Sequence, residues 1–187
     1  MMKHLNHLAD EDIMNAVKND RIEMLAVLFE RHHVRLYNFL LRLTGNTSVS
    51  EDLVQEIFFR ILKYRSSYRG ESKFLFWVYQ IARNVHKDQL RKTRKEIPLD
   101  EQWHEEAAPE IEPDQKSECL EDISILNKAL EKLPLKKREI IILSRFQNLK
   151  YREIAELLEC SIESIKVNVH RAMKDLRKNY LELGGMT

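Results

Sequence analysis

The chain has 187 residues, 43% hydrophobic and 33% charged, with only 4 Gly and 4 Pro, which suits one or two helical domains and argues against a turn-rich β-fold. Its formal net charge of +1 conceals a segregation: 17 Lys/Arg face 11 Asp/Glu over residues 1–95, one Lys faces 11 acids over 96–122, and 13 basic residues face 8 acids thereafter, a hint of nucleic-acid partners. No apolar run approaches the roughly 18 residues of a membrane span, no secretory signal opens the chain, and Cys119, Cys160 and the His residues lack the spacing of disulfides or a zinc site, so a reduced, cytoplasmic protein without metal or cofactor is expected.

A first helix is predicted from about Asp10. A second spans about 23–43, where Leu25, Leu28, Phe29, Leu36, Phe39, Leu40 and Leu43 recur with helical spacing; Thr44, Gly45 and Asn46 end it. Ser48 followed by Glu51 matches a capping box and opens a third helix with an inward stripe of Leu53, Val54, Ile57, Phe58, Ile61 and Leu62. Its outer face then carries Asp52, Gln55, Glu56, Phe59 and Lys63. A Phe flanked by acidic and amide groups marks a docking surface, unless Phe59 simply completes the core.

A polar loop follows from Arg65 to Glu71, and Ser72 is placed to cap a fourth helix with Phe74, Trp77, Val78, Ile81 and Val85 inside. On its opposite side Arg83, Lys87, Arg91 and Arg94 form a basic stripe able to track a DNA backbone. In the loop, Ser66, Ser67, Tyr68, Arg69 and Gly70 set one aromatic among polar and basic groups, an arrangement suited to stacking on an unpaired base. The plainer alternative makes Tyr68 a loop anchor and Asn84 an ordinary helix residue.

From Glu96 to about Asp114 the pattern breaks. Pro98, Pro109 and Pro113, the lack of apolar periodicity and the excess of acids predict an extended, largely disordered linker. Periodicity returns with Leu120, Ile123, Leu126 and Leu130. The expected organisation is therefore all-α, with one small helical domain over 1–95, a linker over 96–116 and a second helical domain over 117–187.

Within the second domain, a helix predicted over Tyr151–Leu158, a turn at Glu159–Ser161 and a helix from Ile162 towards Asn179 form a helix-turn-helix. Ala155 supplies the small residue where the helices cross, Ile154, Leu158, Ile165 and Val169 close the core, and Ser161 caps the second helix. Ser164, Lys166, Asn168, His170, Arg171 and Lys174 then face outward, suited to phosphates and base edges in a major groove. Glu159 stands in the turn where Gly is common. A helix-turn-helix by itself leaves an ordinary transcription regulator open. No Gly-rich phosphate loop, metal-ligand cluster or nucleophile–base spacing points to an enzyme.

SEDLVQEIFFRILKY (Ser50–Tyr64) and YRGESKFLFWVYQIARNVHKDQLRK (Tyr68–Lys92) resemble region two of the extracytoplasmic function (ECF) sigma factors. The helix-turn-helix, with Leu133–Pro134 and Arg138–Ile140 before it, resembles their region four. The resemblance implies a promoter-reading subunit of bacterial RNA polymerase. Asp52, Gln55, Glu56, Phe59 and Lys63 would grip the clamp helices of the largest core subunit. Ser67, Tyr68, Arg69 and Asn84, with Arg83, Lys87 and Arg91, would hold the minus-ten element and its flipped base. Ser164, Lys166, Asn168, His170, Arg171 and Lys174 would read the minus-thirty-five element. The polymerase flap region, promoter DNA and an anti-sigma factor are the implied partners, with no small-molecule substrate. Family members commonly carry Arg where this chain has Asn168 and Met173, so an altered upstream element is expected. The acidic linker is expected to act as a spacer, as a nucleic-acid mimic inside the polymerase, or as a strand folded back on a basic domain.

Overall fold

The computed structural model describes residues 7–70, 73–96 and 118–185, with side chains at 7–70, 73–93 and 122–185. Residues 97–116 of the expected linker, the Ser72 cap and the side chains of Arg94, Cys119 and Leu120 lie outside them, while Glu96, expected to open the linker, still belongs to a helix. The protein is all-α: every regular element among the described residues is helical. The chain divides into two compact units, residues 1–40 with 48–105 and residues 41–47 with 106–187.

The first unit opens with α1 (Asp10–Lys18), whose first turn carries Asp10, Glu11 and Asp12, acids at the positive end of the helix dipole. A nine-residue helix cannot stand alone in water. Packing holds it: Ile13, Met14 and Val17 are fully buried, each contributing about 1.5–3 kcal/mol of apolar burial. A 3₁₀ turn at Ile22–Met24 leads into α2 (Leu25–Thr44). Val27, Leu28, Leu36, Phe39 and Leu40 are buried along it, while Phe29 sits at the edge, stacked on His33 at 4.8 Å and edge-on to Phe58 at 4.9 Å.

Helix α2 stops at Gly45, which takes a left-handed φ of 68° that costs Gly little. Next, α3 (Thr47–Lys63) starts at Thr47, so Ser48 lies inside its first turn and is not the expected cap. The left-handed turn at Gly45 ends two residues before α3 starts, so the helix opens ahead of Ser48. The predicted stripe of α3 is buried except for the half-buried Leu62. After a 3₁₀ turn at Arg65–Ser67 comes α4 (Phe74–Glu96). Phe74, Val78 and Val85 are buried as expected, Trp77 and Ile81 only partly, and Tyr79 and Ala82 join the core. Tyr79 packs edge-on to Phe39 at 5.1 Å. Burial pushes its hydroxyl up to a pKa of about 12, against the opposing pull of Arg35.

The second unit contains α5 (Glu118–Glu131), α6 (Leu135–Ile141), a π-helical turn (Ile142–Phe146), α7 (Tyr151–Leu157) and α8 (Ile162–Glu182). Its core joins Ala129, Leu130 and Leu133 to Ile141, Ala172 and Leu176. The run Ile140–Leu143 is buried on all sides, which is why it shows no amphipathic period. Pro134 occupies the N-cap of α6 with extended backbone, where its missing N–H costs nothing. Arg138 then donates through Nη2 to the carbonyls of Glu131 and Leu133, and Asn179 of α8 donates to the Ala129 carbonyl at 3.1 Å. Ile123, in phase with the α5 stripe, is nevertheless 49% exposed.

Candidate nucleic-acid and docking interfaces

In the first unit, the alternation of apolar and polar residues on α3 fixes which neighbour faces out. Phe58 is 6% exposed and Phe59 58%. Asp52, Gln55 and Lys63 are exposed beside Phe59, and Glu56 is half-buried, so the five predicted docking residues share one face. Sequence reasoning missed what fixes Glu56. Its carboxylate accepts from Arg60 Nε at 2.6 Å, while Arg60 Nη1 donates to Asp88 of α4 at 2.8 Å, and Asp88 also pairs with Arg91 at 3.3 Å. Burial would lower the Arg60 pKa, but the hydrogen bonds to Asp88 and Glu56 outweigh it and raise it. The hydrogen bond from Arg60 likewise holds the Asp88 carboxyl below its ordinary range. The spacing Glu56–Arg60, four residues apart, was the one signal available for this link.

On α4, Asn84, Lys87 and Arg91 are exposed and Arg83 is half-buried. At about 100° per residue, Lys87, Gln80, Arg91 and Asn84 fall within an arc of about 60°. Amide and basic groups therefore form one polar face away from Phe74, Val78 and Val85. In the adjoining loop Ser66, Ser67 and Arg69 are exposed, and Ser67 Oγ donates to the Tyr64 carbonyl at 2.7 Å.

Tyr68 requires a correction. Expected to present its ring to an unpaired base, it is 1% exposed, tilted against Trp77 at 5.2 Å and edge-on to Phe74 at 6.4 Å. The gain from burying an aromatic of this size outweighs any tendency of a polar loop to display it. It is an anchor for the loop, and its polar neighbours are what the loop displays.

In the second unit, α7 begins with the Glu153 carboxylate accepting from the Lys150 backbone N–H at 2.8 Å. It ends one residue before the predicted boundary, so Leu157 is buried and Leu158 only partly. Glu159 adopts a left-handed φ of 55°, at a cost of about 1–2 kcal/mol for a non-Gly residue. Ser161 caps α8 as predicted, its Oγ accepting from the Ser164 N–H at 3.1 Å. Ala155, Ile154, Ile165 and Val169 are buried where the two helices meet. Of the outward residues, Lys166, His170, Arg171 and Lys174 are exposed, while Asn168 is half-buried and donates to Ser164 Oγ at 3.2 Å.

A groove of about 700 Å³ lies between α5 and α8. Ile123, Leu126, Met173, Leu176 and Tyr180 make it apolar, with Lys174 and Arg177 supplying positive charge and Asp122 and His170 also at its border. Two residues expected to face DNA, His170 and Lys174, therefore also border this groove. It went unseen in the sequence because its walls come from helices some fifty residues apart. Among the described residues no cluster of His, Cys, Asp or Glu could hold a metal ion, and no helix is long and apolar enough to cross a membrane.

Residues 28–96 match the family model for Sigma-70 region 2, and residues 123–176 match that for Sigma-70 region 4. The chain is 30% identical over 162 residues to the ECF RNA polymerase sigma factor SigX of Bacillus subtilis, covering 84% of each protein. It is 28% identical over 176 residues to SigW of the same organism, covering 89% of this chain and 94% of that one. Among solved structures it is similar to the sigma factor RpoE of Bartonella quintana, determined in complex with the anti-sigma factor NepR: TM-score 0.65, 26% identity, 89% of this chain and 99% of that one. The matches to both family models and to these relatives, on a first helical unit and a second unit built on a helix-turn-helix, place the chain in the family of ECF RNA polymerase sigma factors.

Proposed function

We propose that this chain binds core RNA polymerase and initiates transcription through three surfaces, each assigned by its exposed chemistry. The face of α3 around Phe59, with Asp52, Gln55, Glu56 and Lys63, docks on the clamp helices of the largest subunit. The loop residues Ser67 and Arg69, with Arg83, Asn84, Lys87 and Arg91 of α4, take the minus-ten element; Tyr68 supports them from beneath. Ser164, Lys166, Asn168, His170, Arg171 and Lys174 of α8 take the minus-thirty-five element, and the apolar groove between α5 and α8 receives the flap region of the polymerase. The domains follow the boundaries 1–95 and 117–187, with 96–116 as the linker. The protein works in the cytoplasm, without catalysis of its own, and an anti-sigma protein that covers the polymerase-binding surfaces controls it.

One observation carries this reading: the first unit holds an exposed Phe59 among polar groups on α3 and a basic and amide face on α4. An ordinary helix-turn-helix regulator has use for neither. Run-off transcription with core polymerase on a promoter library tests it. Specific transcripts should need both the chain and core enzyme, and the free chain should bind duplex promoters weakly. Tight duplex binding by the free chain together with no transcripts would defeat the reading.

A further inference from the structure

Helix α1 precedes the segment matched to region two, which begins at residue 28, yet its polar contacts converge on the loop before α4. Glu11 Oε1 accepts from the backbone N–H of Phe74 at 2.9 Å. That amide opens α4 and has no partner within its own helix, so α1 caps α4 from across the unit. Lys18 Nζ donates to the Tyr68 carbonyl at 2.7 Å. Just beyond α1, Asp20 accepts from Arg65 Nη2 at 2.8 Å. At its other end α1 is tied to α2: Asp10 accepts from Arg31 Nη1 at 2.6 Å and contacts His32 Nε2 at 2.7 Å. Below lies the ring of Tyr68, buried against Trp77. Burial, and then the charges of Glu11 and Asp10, raise the pKa of its hydroxyl, so that ring stays neutral under these acids.

Backbone groups of a loop need partners when water is excluded. A segment ordered only on meeting its ligand must also give up its conformational freedom at that moment. Here α1 supplies partners to the Tyr68 carbonyl and the Phe74 N–H, so these backbone groups are held before any ligand arrives. We propose that α1, with Asp20 just beyond it, is a positioning element for promoter melting: Glu11, Lys18 and Asp20 fix residues 65–69 and the start of α4 so that Ser66, Ser67 and Arg69 are displayed to the strand. The proposal rests on the reading of this loop as the minus-ten contact.

The experiment uses the full chain with core polymerase and compares Lys18→Met with the conservative Lys18→Arg. Glu11→Gln, Asp20→Asn and the loop variant Arg69→Ala are measured alongside. Open-complex formation on a duplex promoter should fall about tenfold in Lys18→Met, the factor carried by one hydrogen bond to a charged group. Core affinity and transcription from a template already melted near the start site should stay within about twofold, well below that factor. Lys18→Arg should restore most of the loss. Trp77 emission, isolated by Trp103→Phe, should change in free Lys18→Met as Tyr68 shifts against it. Equal losses on duplex and melted templates, or an emission change without any loss on the duplex, would overturn the proposal. If Arg69→Ala also leaves duplex opening untouched, the loop does not contact the minus-ten element and the functional reading itself fails. If Arg69→Ala impairs opening and the α1 variants do not, only the role of α1 is lost.

Discussion

The hydroxyl of Tyr79 illustrates how one buried group writes a pH dependence into the fold. Its pKa rises from 10.0 to about 12, chiefly because burial disfavours the phenolate. Below the ordinary value both folded and unfolded chains hold the proton, and the group leaves stability unchanged with pH. Between about 10 and about 12 the unfolded chain ionises while the folded one resists. Stability should therefore drop with rising pH, by about 3 kcal/mol across that window from this residue. Urea titrations of Tyr79→Phe from pH 9 to 12 should show a shallower decline than the parent. At this scale periodicity placed most core residues, though Ile123, in phase with its stripe, is exposed. Phe59 was placed outward because Phe58 had taken the inward phase of α3. Tyr68 was misplaced because an aromatic in a polar loop has the same local sequence whether it stacks on a ligand or anchors the loop. Only Trp77 and Phe74, brought beneath it by the fold, decide which. Leu157 displaced Leu158 from the core because α7 ends before Leu158 and the chain turns at Glu159.

Among the elements, α3 is the one whose two faces can be separated by experiment. Phe58→Ala should cost about 3–5 kcal/mol, as expected for a buried Phe, and lower the melting temperature of the unit. Phe59→Ala should leave melting nearly unchanged and weaken binding of core polymerase by at least tenfold, the range of an interfacial aromatic anchor. A large stability loss at Phe59 with normal core affinity would assign it to the core. The long helices were read to within two or three residues because their stripes extend over several turns. The junction of α6 with its π turn was less visible, because it falls within the continuous apolar run Ile140–Leu143, where nothing alternates. Contacts made between elements left the faintest trace. The Arg60–Asp88 bond and the Glu11–Phe74 cap join residues 28 and 63 positions apart, a distance at which spacing carries no information.

At the scale of the molecule, a net charge of +1 describes neither of its basic segments. The exposed Lys87 and Arg91 with half-buried Arg83 place charge on one side of α4. In a complex with core polymerase, a phosphate contact from Lys87 should contribute to salt dependence, and Lys87→Ala should reduce the slope of log affinity against log salt by about 1. Asn84→Ala should weaken binding to the preferred promoter with the slope unchanged, because an amide releases no counterion. An unaltered slope in Lys87→Ala would remove that residue from the backbone contacts. The segregation of charge was fully legible in the sequence, but the assignment of faces needed the fold.

The exposure of Phe59, at 58%, has a consequence for abundance. An exposed apolar side chain is open to chaperones and to other copies of the same chain as well as to the partner proposed for it. As copy number rises past the supply of partners, such encounters grow faster than the useful one. The amount of this protein that a cell can hold uncovered is therefore bounded by the same side chain that would make it useful, and scarcity becomes a condition of its solubility.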